Sequence, residues 1–322
     1  MTPSGSSSSL VAMFPGQGSQ FVGMGRDLLE QFPSARVVFE EAEDAARIAV
    51  RKLCFDGPEE DLKLTANTQP CILTMSVAVW TVLRSETGFA PKIFAGHSLG
   101  EYSALVAAGK LTLSRAAWLV RKRGEAMQAA VPAGVGAMAA VMLLGETTAD
   151  TIEGFCKAVS TSGSVVEVVN FNSPQQVVVA GHKTGVDKLC AKLEAEKIRF
   201  VPLPVSAPFH SSLMAPAREA MAPLLRETAI AQTGTRIVAN LTGRIEDDYS
   251  SEHLIQQINS AVRWTQTLAT AVSAGCTSFV EIGPGKVLFG LARRTLPKEA
   301  KLLHSEDVRK AIDDIKALSA GS

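Results

Sequence analysis

Lys92 to Ala95 reads as a brief strand, Gly96-His97-Ser98-Leu99-Gly100 follows, and helical sequence runs on from Leu99 to Ala108. Strand, sharp turn and helix in alternation, of which this is the clearest instance, indicate α/β architecture around a mainly parallel sheet. Leu10 to Phe14 is a second short apolar strand, broken by Pro15-Gly16-Gln17-Gly18. Helical spacing covers Asp27 to Val50 and Leu113 to Ala130. Thr68 to Thr87 is apolar nearly all round, which places a helix inside the core.

The pattern changes after Pro132. Ala137 to Leu144, Val165 to Asn170, Gln176 to Ala180 and Ile198 to Leu203 read as strands, with helices at Thr148 to Val159 and Gly185 to Glu196. That β-α-β-β-α-β order is ferredoxin-like. The α/β pattern then resumes: a helix from about Ser211, a strand at Arg236 to Ala239, and helices around His253 and Thr265. A strand at Ser278 to Ile282 and a helix from Val287 complete it. The expectation is a large α/β domain with a parallel sheet, residues 10–131 and 205–322, carrying an inserted ferredoxin-like subdomain, residues 132–204. Residues 1–9, polar and serine-rich, are expected to be a disordered leader. A cleft between the two parts is the natural ligand site.

Composition narrows the partners. The chain has 322 residues, 46% hydrophobic and 20% charged, with 32 basic and 32 acidic side chains. Zero net charge supplies no global field toward nucleic acid or an anionic membrane, so an anionic ligand needs a local cation. Five scattered cysteines show no metal-ligand spacing and imply reduced, mostly buried thiols in the cytoplasm. The apolar stretch from Val135 to Gly145 is too short to span a bilayer.

G-x-S-x-G between a strand and a helix is the form of a nucleophile elbow, which lifts Ser98 Oγ over the sheet end and aims the Leu99 amide at a developing oxyanion. A serine needs a base. His97 adjoins Ser98 but diverges at such a turn and reads as structural. His182, His253 and His304 read as surface or packing residues. His210 ends the loop Val205-Ser206-Ala207-Pro208-Phe209-His210, which can return over the cleft; pattern alone leaves it a candidate. The Phe14–Gln20 loop is either an ordinary βα turn or a backbone cradle whose Gln17 amide is a second oxyanion donor. Arg121-Lys122-Arg123 is either a solvated face or contains one inward arginine able to clamp a carboxylate.

Together, Phe14–Gln20, Gly96-His97-Ser98-Leu99-Gly100-Glu101-Tyr102-Ser103-Ala104, Arg123-Gly124-x-x-Met127, Asn170-Phe171-Asn172-Ser173-Pro174, the Pro208–His210 loop and Glu281-Ile282-Gly283-Pro284-Gly285-Lys286 resemble the malonyl-CoA:acyl-carrier-protein transacylase family. The resemblance runs in order over some nine-tenths of the chain. It implies an α/β-hydrolase-like large domain, Ser98 as acyl-accepting nucleophile and His210 as its base. It also implies Arg123 as malonyl carboxylate clamp, the Gln17 and Leu99 amides as oxyanion hole, and Asn172 near the site. Phe209 resembles the malonyl-selective version of its loop. Arg263 stands where many family members carry Gln, at a position whose backbone carbonyl orients the histidine. The implied reactants are malonyl-CoA and acyl carrier protein, with no cofactor, metal, nucleic acid or membrane, in a monomer. Loading of polyketide carriers, a serine esterase or thioesterase, and a non-catalytic binding module are the alternatives. Lys286, Arg293, Arg294, Lys298, Lys301, Arg115 and Lys122 are candidates to receive an acidic carrier.

Overall fold

A computed structural model describes residues 9–205 and 207–320. The expected leader, apart from Ser9, and Ser206 of the return loop lie outside the described residues. Strand β1 (Leu10–Phe14) leads into the Pro15–Gly18 turn. The single helix expected over Asp27 to Val50 is instead three: α1 (Arg26–Gln31), α2 (Pro33–Ala46) and α3 (Val50–Asp56). Phe32 is extended, and Pro33 opens α2 at a first-turn position where its missing N–H is no loss. Arg47, in the left-handed region, closes that helix.

After α4 (Glu59–Lys63) comes α5 (Thr65–Thr87), buried along most of its length and starting three residues before the expected Thr68. Pro70 cannot donate to Ala66, and the carbonyl of Ala66 is taken by Arg121 Nη1 at 3.1 Å. Strand β2 (Ile93–Gly96) then meets α6 (Gly100–Ala107), followed by α7 (Leu113–Ala129).

The next six elements are β3 (Gly136–Met142), α8 (Ala149–Val159), β4 (Val166–Ser173), β5 (Gln176–His182), α9 (Lys183–Ala195) and β6 (Phe200–Pro202). The order is the ferredoxin-like one read from sequence. Beyond them lie α10 (Ala215–Arg226), β7 (Arg236–Val238), β8 (Ile245–Glu246), α11 (Ser251–Gln257), α12 (Trp264–Ser273) and β9 (Ser278–Glu281). The described chain closes with α13 (Val287–Thr295), β10 (Lys301–His304) and α14 (Val308–Ala320). Sequence reading did not anticipate β8, β10 or α14.

Two sheets result. One runs β10-β9-β1-β2-β7-β8, parallel except for the β7–β8 pair. Alternation along β1 sends Ala12 and Phe14 into the core built on α5, α6 and α7, and Val11 and Met13 into the opposite core under α12 and α13. Trp80 of α5 meets Phe14, Phe89 and Phe94 edge-on at 5.5 to 6.5 Å between centroids. Each such pair adds roughly 0.5–1.5 kcal/mol beyond its buried area.

The second sheet runs β4-β5-β3-β6 and is antiparallel throughout. One face packs Val141 and Val179 on Ile152 of α8 and Leu189 of α9. The other gathers Met138, Ala140, Val169, Val178 and Ala180, with Phe209 against them. Backbone bonds from Phe171 to Val262 and from Val262 to Val169, both 2.9 Å, tie this sheet to the chain just before α12. Phe14 and Gly96 are register partners, so the turns leaving β1 and β2 stand side by side at the carboxyl end of the parallel sheet. That is where ligands bind in open α/β sheets.

Candidate active site

The elbow is built by steric clearance. A Cβ on Gly96 would lie 1.9 Å from the Gly100 carbonyl carbon, and one on Gly100 would lie 2.0 Å from the Phe14 oxygen. Only glycines let β2, α6 and β1 close on each other here. Between them Ser98 takes φ 52°. His210 has φ 64°, so two of the four non-glycine residues at positive φ among the described residues are the proposed nucleophile and base. Strain of about 1–3 kcal/mol each persists at such positions only when neighbours over-determine the backbone.

Ser98 Oγ lies 2.7 Å from His210 Nε2. The other ring nitrogen, Nδ1, lies 3.0 Å from the backbone carbonyl of Gln257, which makes Nδ1 the donor and leaves Nε2 to accept the serine proton. This corrects the sequence reading, which gave the orienting carbonyl to Arg263. The carbonyl of Arg263 is bonded to Thr267, by its backbone N–H and its hydroxyl. Gln257 ends α11 six residues earlier, so the residue type at Arg263 has no bearing on how the histidine is oriented.

His210 is 5% exposed. Burial first, and the Arg123 charge second, push its pKa down to about 3, so the imidazole is neutral across the physiological range and Nε2 is free to accept a proton.

Arg123 is the inward member of its cluster. Arg121 and Lys122 both pair with Glu125, whereas Arg123 is 1% exposed. Gly124 makes this possible: a Cβ there would sit 2.6 Å from Ala66 Cα, so α7 can press onto the start of α5. Arg123 Nη1 donates to Gln69 Oε1 at 2.9 Å. Its Nη2 donates to Gln257 Oε1 at 3.0 Å and to Ser98 Oγ at 3.2 Å. The guanidinium lies 5.7 Å from the Tyr102 ring centroid, and its Nε has no hydrogen-bond partner. None of these partners is a carboxylate. Glu101 acts on the guanidinium only through space and through Gln257. Burying a cation without a directly hydrogen-bonded anion costs on the order of several kcal/mol, which an anionic ligand would offset.

A cavity of about 200 Å³ opens over these groups. Its lining includes Gln17, Ser98, Leu99, Arg123 and His210 from around the large sheet, and Met138, Asn172 and Val178 from the small one. The Gln17 and Leu99 amides have no acceptor among the described residues, as oxyanion donors require. Phe209 also lines the cavity. Asn172 ends up in β4, with Oδ1 2.9 Å from His97 Nε2. His97, expected to be structural, therefore bonds across to the small sheet and lines the cavity as well. His182 accepts from the Val165 amide, His253 stacks on Tyr249, and His304 meets Phe289; none of these three lines the cavity. A larger hollow of about 440 Å³ between α1, the Gly283–Gly285 turn and α14 contains none of the sequence-predicted site residues.

Four supporting residues were not read from sequence. Gln69, Asn240, Tyr249 and Gln257 are buried, and only the fold brings them to the elbow. Asn240 Oδ1 accepts from the Ser98 amide at 2.6 Å, and its Nδ2 donates to the Gly96 carbonyl. Glu101 is a lone carboxylate inside an apolar helix, the one signal in the sequence that pointed to this support.

Comparison with known proteins gives one consistent result. A family model described as acyl transferase domain matches residues 11–316. The malonyl CoA-acyl carrier protein transacylase of Bacillus subtilis is 43% identical over 291 residues, 89% of this chain and 90% of its own. The Escherichia coli K12 protein of the same name is 42% identical over 285 residues, covering 88% and 91%. The crystal structure of FabD from Acinetobacter baumannii superposes with a TM-score of 0.91 at 40% identity, covering 97% of this chain and 99% of that one. A malonyl-transacylase solved with a type II polyketide acyl-carrier protein matches with a TM-score of 0.89 at 40% identity, covering 95% and 100%.

Proposed function

The chain belongs to the acyl transferase domain family, and from that premise we propose that it transfers a malonyl group from malonyl-CoA to the phosphopantetheine thiol of acyl carrier protein. The observation that carries this reading is the Ser98–His210 pair at 2.7 Å beside a buried arginine that has no carboxylate partner.

Malonyl-CoA enters with its free carboxylate on Arg123 and its thioester carbon beside Ser98 Oγ. The hydroxyl attacks, and its proton passes to His210 Nε2 while the Gln17 and Leu99 amides hold the oxyanion. Collapse breaks the C–S bond, and the proton on His210 goes to the departing coenzyme A thiolate. The carrier thiol then gives its proton to His210, attacks the malonyl-serine ester and leaves as malonyl thioester, returning Ser98 to its hydroxyl form. Both half-reactions are acyl transfers between two thioesters and one ester, so atoms and charge balance without a cofactor.

A serine esterase would place an acid behind His210. The partner present is a neutral carbonyl, which supports the transferase reading. Every group in the scheme comes from one chain, consistent with a monomer. No helix among the described residues is long and apolar enough to cross a membrane. Cytoplasm is the compartment proposed from the thiol content, and residues 132–204 are proposed as an inserted subdomain roofing the site. Loading of polyketide carriers is the same chemistry, and the relative solved with such a carrier supports it as the second reading.

Intact-protein mass spectrometry after mixing with malonyl-CoA tests the scheme. One malonyl adduct is expected on the wild type and none on Ser98→Ala. An adduct that survives the substitution would exclude Ser98, and hydrolysis outrunning transfer to added carrier would favour an esterase. Comparing fatty acid and polyketide carriers as acceptors separates the two pathways.

A further inference from the structure

Glu101, the second residue of α6, is 1% exposed and lies directly beneath the elbow. Three donors converge on its carboxylate: Tyr249 hydroxyl at 2.7 Å, the Asn240 backbone N–H at 3.3 Å, and Gln257 Nε2. Two of those donor residues touch the reacting groups directly. Asn240 holds the Ser98 amide, as described above. Gln257 makes three contacts with the machinery: its Nε2 also donates to the Ser98 carbonyl at 3.0 Å, its Oε1 accepts from Arg123, and its backbone carbonyl accepts from His210.

The amide of Gln257 faces one way, and Glu101 supplies one of the two acceptors that hold its NH2 there. Its NH2 meets two acceptors, the Glu101 carboxylate and the Ser98 carbonyl, and its oxygen meets the Arg123 guanidinium. Turned over, it would set oxygen against carboxylate and NH2 against guanidinium, with every contact repulsive. Resting on the transferase reading above, we propose that Glu101 is a positioning residue for the reaction. Acting through Gln257 and Asn240, it locks the amide that steadies Arg123, the carbonyl that orients His210, and the strained turn that presents Ser98. Glu101 touches no substrate. Its role is to make one buried carboxylate the common anchor of three groups drawn from distant parts of the chain.

The test compares Glu101→Ala, Glu101→Gln and Tyr249→Phe in the full chain. Readouts are steady-state malonyl transfer, Ser98 labelling by a fluorophosphonate, and thermal midpoint. Displacing reacting groups by about 1 Å can cost 100-fold, so Glu101→Ala is expected to lose about 100-fold in kcat, with labelling falling in parallel well below its melting temperature. Glu101→Gln should rescue to within about ten-fold, because its oxygen can accept from Gln257 while its NH2 donates to the Tyr249 hydroxyl, which rotates to accept. Removing that hydroxyl as well frees the new amide to turn over, so Glu101→Gln with Tyr249→Phe should lose more than the product of the single effects. This isosteric pair decides the matter if Glu101→Ala does not fold. Folded Glu101→Ala within about three-fold of wild type, or strictly multiplicative losses in the pair, would overturn the proposal. Wild-type protein that moves no malonyl group would instead overturn the transferase reading, and the labelling rates would still judge Glu101.

Discussion

Arg123 Nη2 stands 3.2 Å from Ser98 Oγ, a cation held against a nucleophile with neutral oxygens as its other hydrogen-bond partners. A dicarboxylic acyl group would place its anion on the guanidinium and its thioester carbon beside the hydroxyl at once. Choice of substrate and placement of the reacting carbon therefore come from one side chain.

That coupling predicts the behaviour of Arg123→Ala. An acetyl group leaves the arginine unpaired in the wild type, and sites that discriminate through an unpaired polar group do so strongly, by about 10⁴–10⁵-fold in the best cases. Arg123→Ala should lose malonyl transfer by more than about 100-fold while acetyl transfer falls far less, narrowing the preference. Arg123→Lys should recover little, because an ammonium cannot hold Gln69 and Gln257 while forking onto a carboxylate. Competition between malonyl-CoA and acetyl-CoA measures both; equal losses for the two donors would remove the clamp.

Protonation of His210 provides a second check. Its pKa is pushed down to about 3 by burial, then by the charge on Arg123, with His97 adding slightly. The folded value lies below the ordinary 6.5. The stability linked to the neutral ring is therefore complete above pH 6.5 and is lost as pH falls through about 3. Imidazole nitrogen shifts of labelled protein should show His210 neutral, with the proton on Nδ1, from pH 8 down to pH 5. Titration near 6.5 would mean that the ring is solvated and the site more open than described.

The elbow was legible because strand, G-x-S-x-G and helix are contiguous. Pattern left His210 one candidate base and Arg123 one of two readings of a basic run, and the family resemblance supplied both roles. The support beneath them was not legible. Gln257 lies 159 residues from Ser98 and works partly through a backbone carbonyl, which any residue type possesses, so sequence could not distinguish it from Arg263. The break at Phe32–Pro33 was readable from the proline alone, and helical periodicity on both sides concealed it. Strand β10 was passed over because Leu302 and Leu303 are only partly buried and no alternation marks a face.

Gly100 should be intolerant of even one methyl group. Its Cβ would lie 2.0 Å from the Phe14 oxygen and 2.7 Å from the Phe14 carbon, both backbone atoms that cannot rotate aside. Gly100→Ala should lose more than about 3 kcal/mol or fail to fold, as overpacking of an unyielding contact does. Gly290 in α13 meets nothing within 4 Å, and Gly290→Ala should be neutral or gain up to about 1 kcal/mol from helix propensity. Urea unfolding of the two variants checks the contrast; similar midpoints would show that the elbow can relax.

Carrier docking is expected on the side of α13. That helix starts at the cavity with Val287, Leu288 and Leu291 and exposes Arg293 and Arg294 in its last turn. Arg115 and Lys122 are already engaged, the first with Thr228 and the Leu224 carbonyl, the second with Glu125. Arg293→Glu with Arg294→Glu should raise the KM for carrier about ten-fold and leave that for malonyl-CoA unchanged, with added salt producing the same split in the wild type. Parallel changes in both constants would place docking elsewhere.

Phe209 sets the last expectation. Its ring lines the cavity with Met138, Val178, Leu203 and Val205, and packs on both the main core and the inner face of the small sheet. Packed against both surfaces, the ring has little room to retreat. An acyl chain branched at C2 needs room for one extra methyl, and a methyl in a hydrophobic pocket changes discrimination by only about 1–3 kcal/mol. Malonyl should therefore be preferred over methylmalonyl by a modest factor. Phe209→Ala should raise the methylmalonyl-to-malonyl ratio about ten-fold, at some cost in stability from the lost packing. Competition between the two thioesters, read as adduct masses on Ser98, measures the ratio. If it does not move while Phe209→Ala remains folded, the branch is accommodated elsewhere in the cavity and the ring serves packing alone.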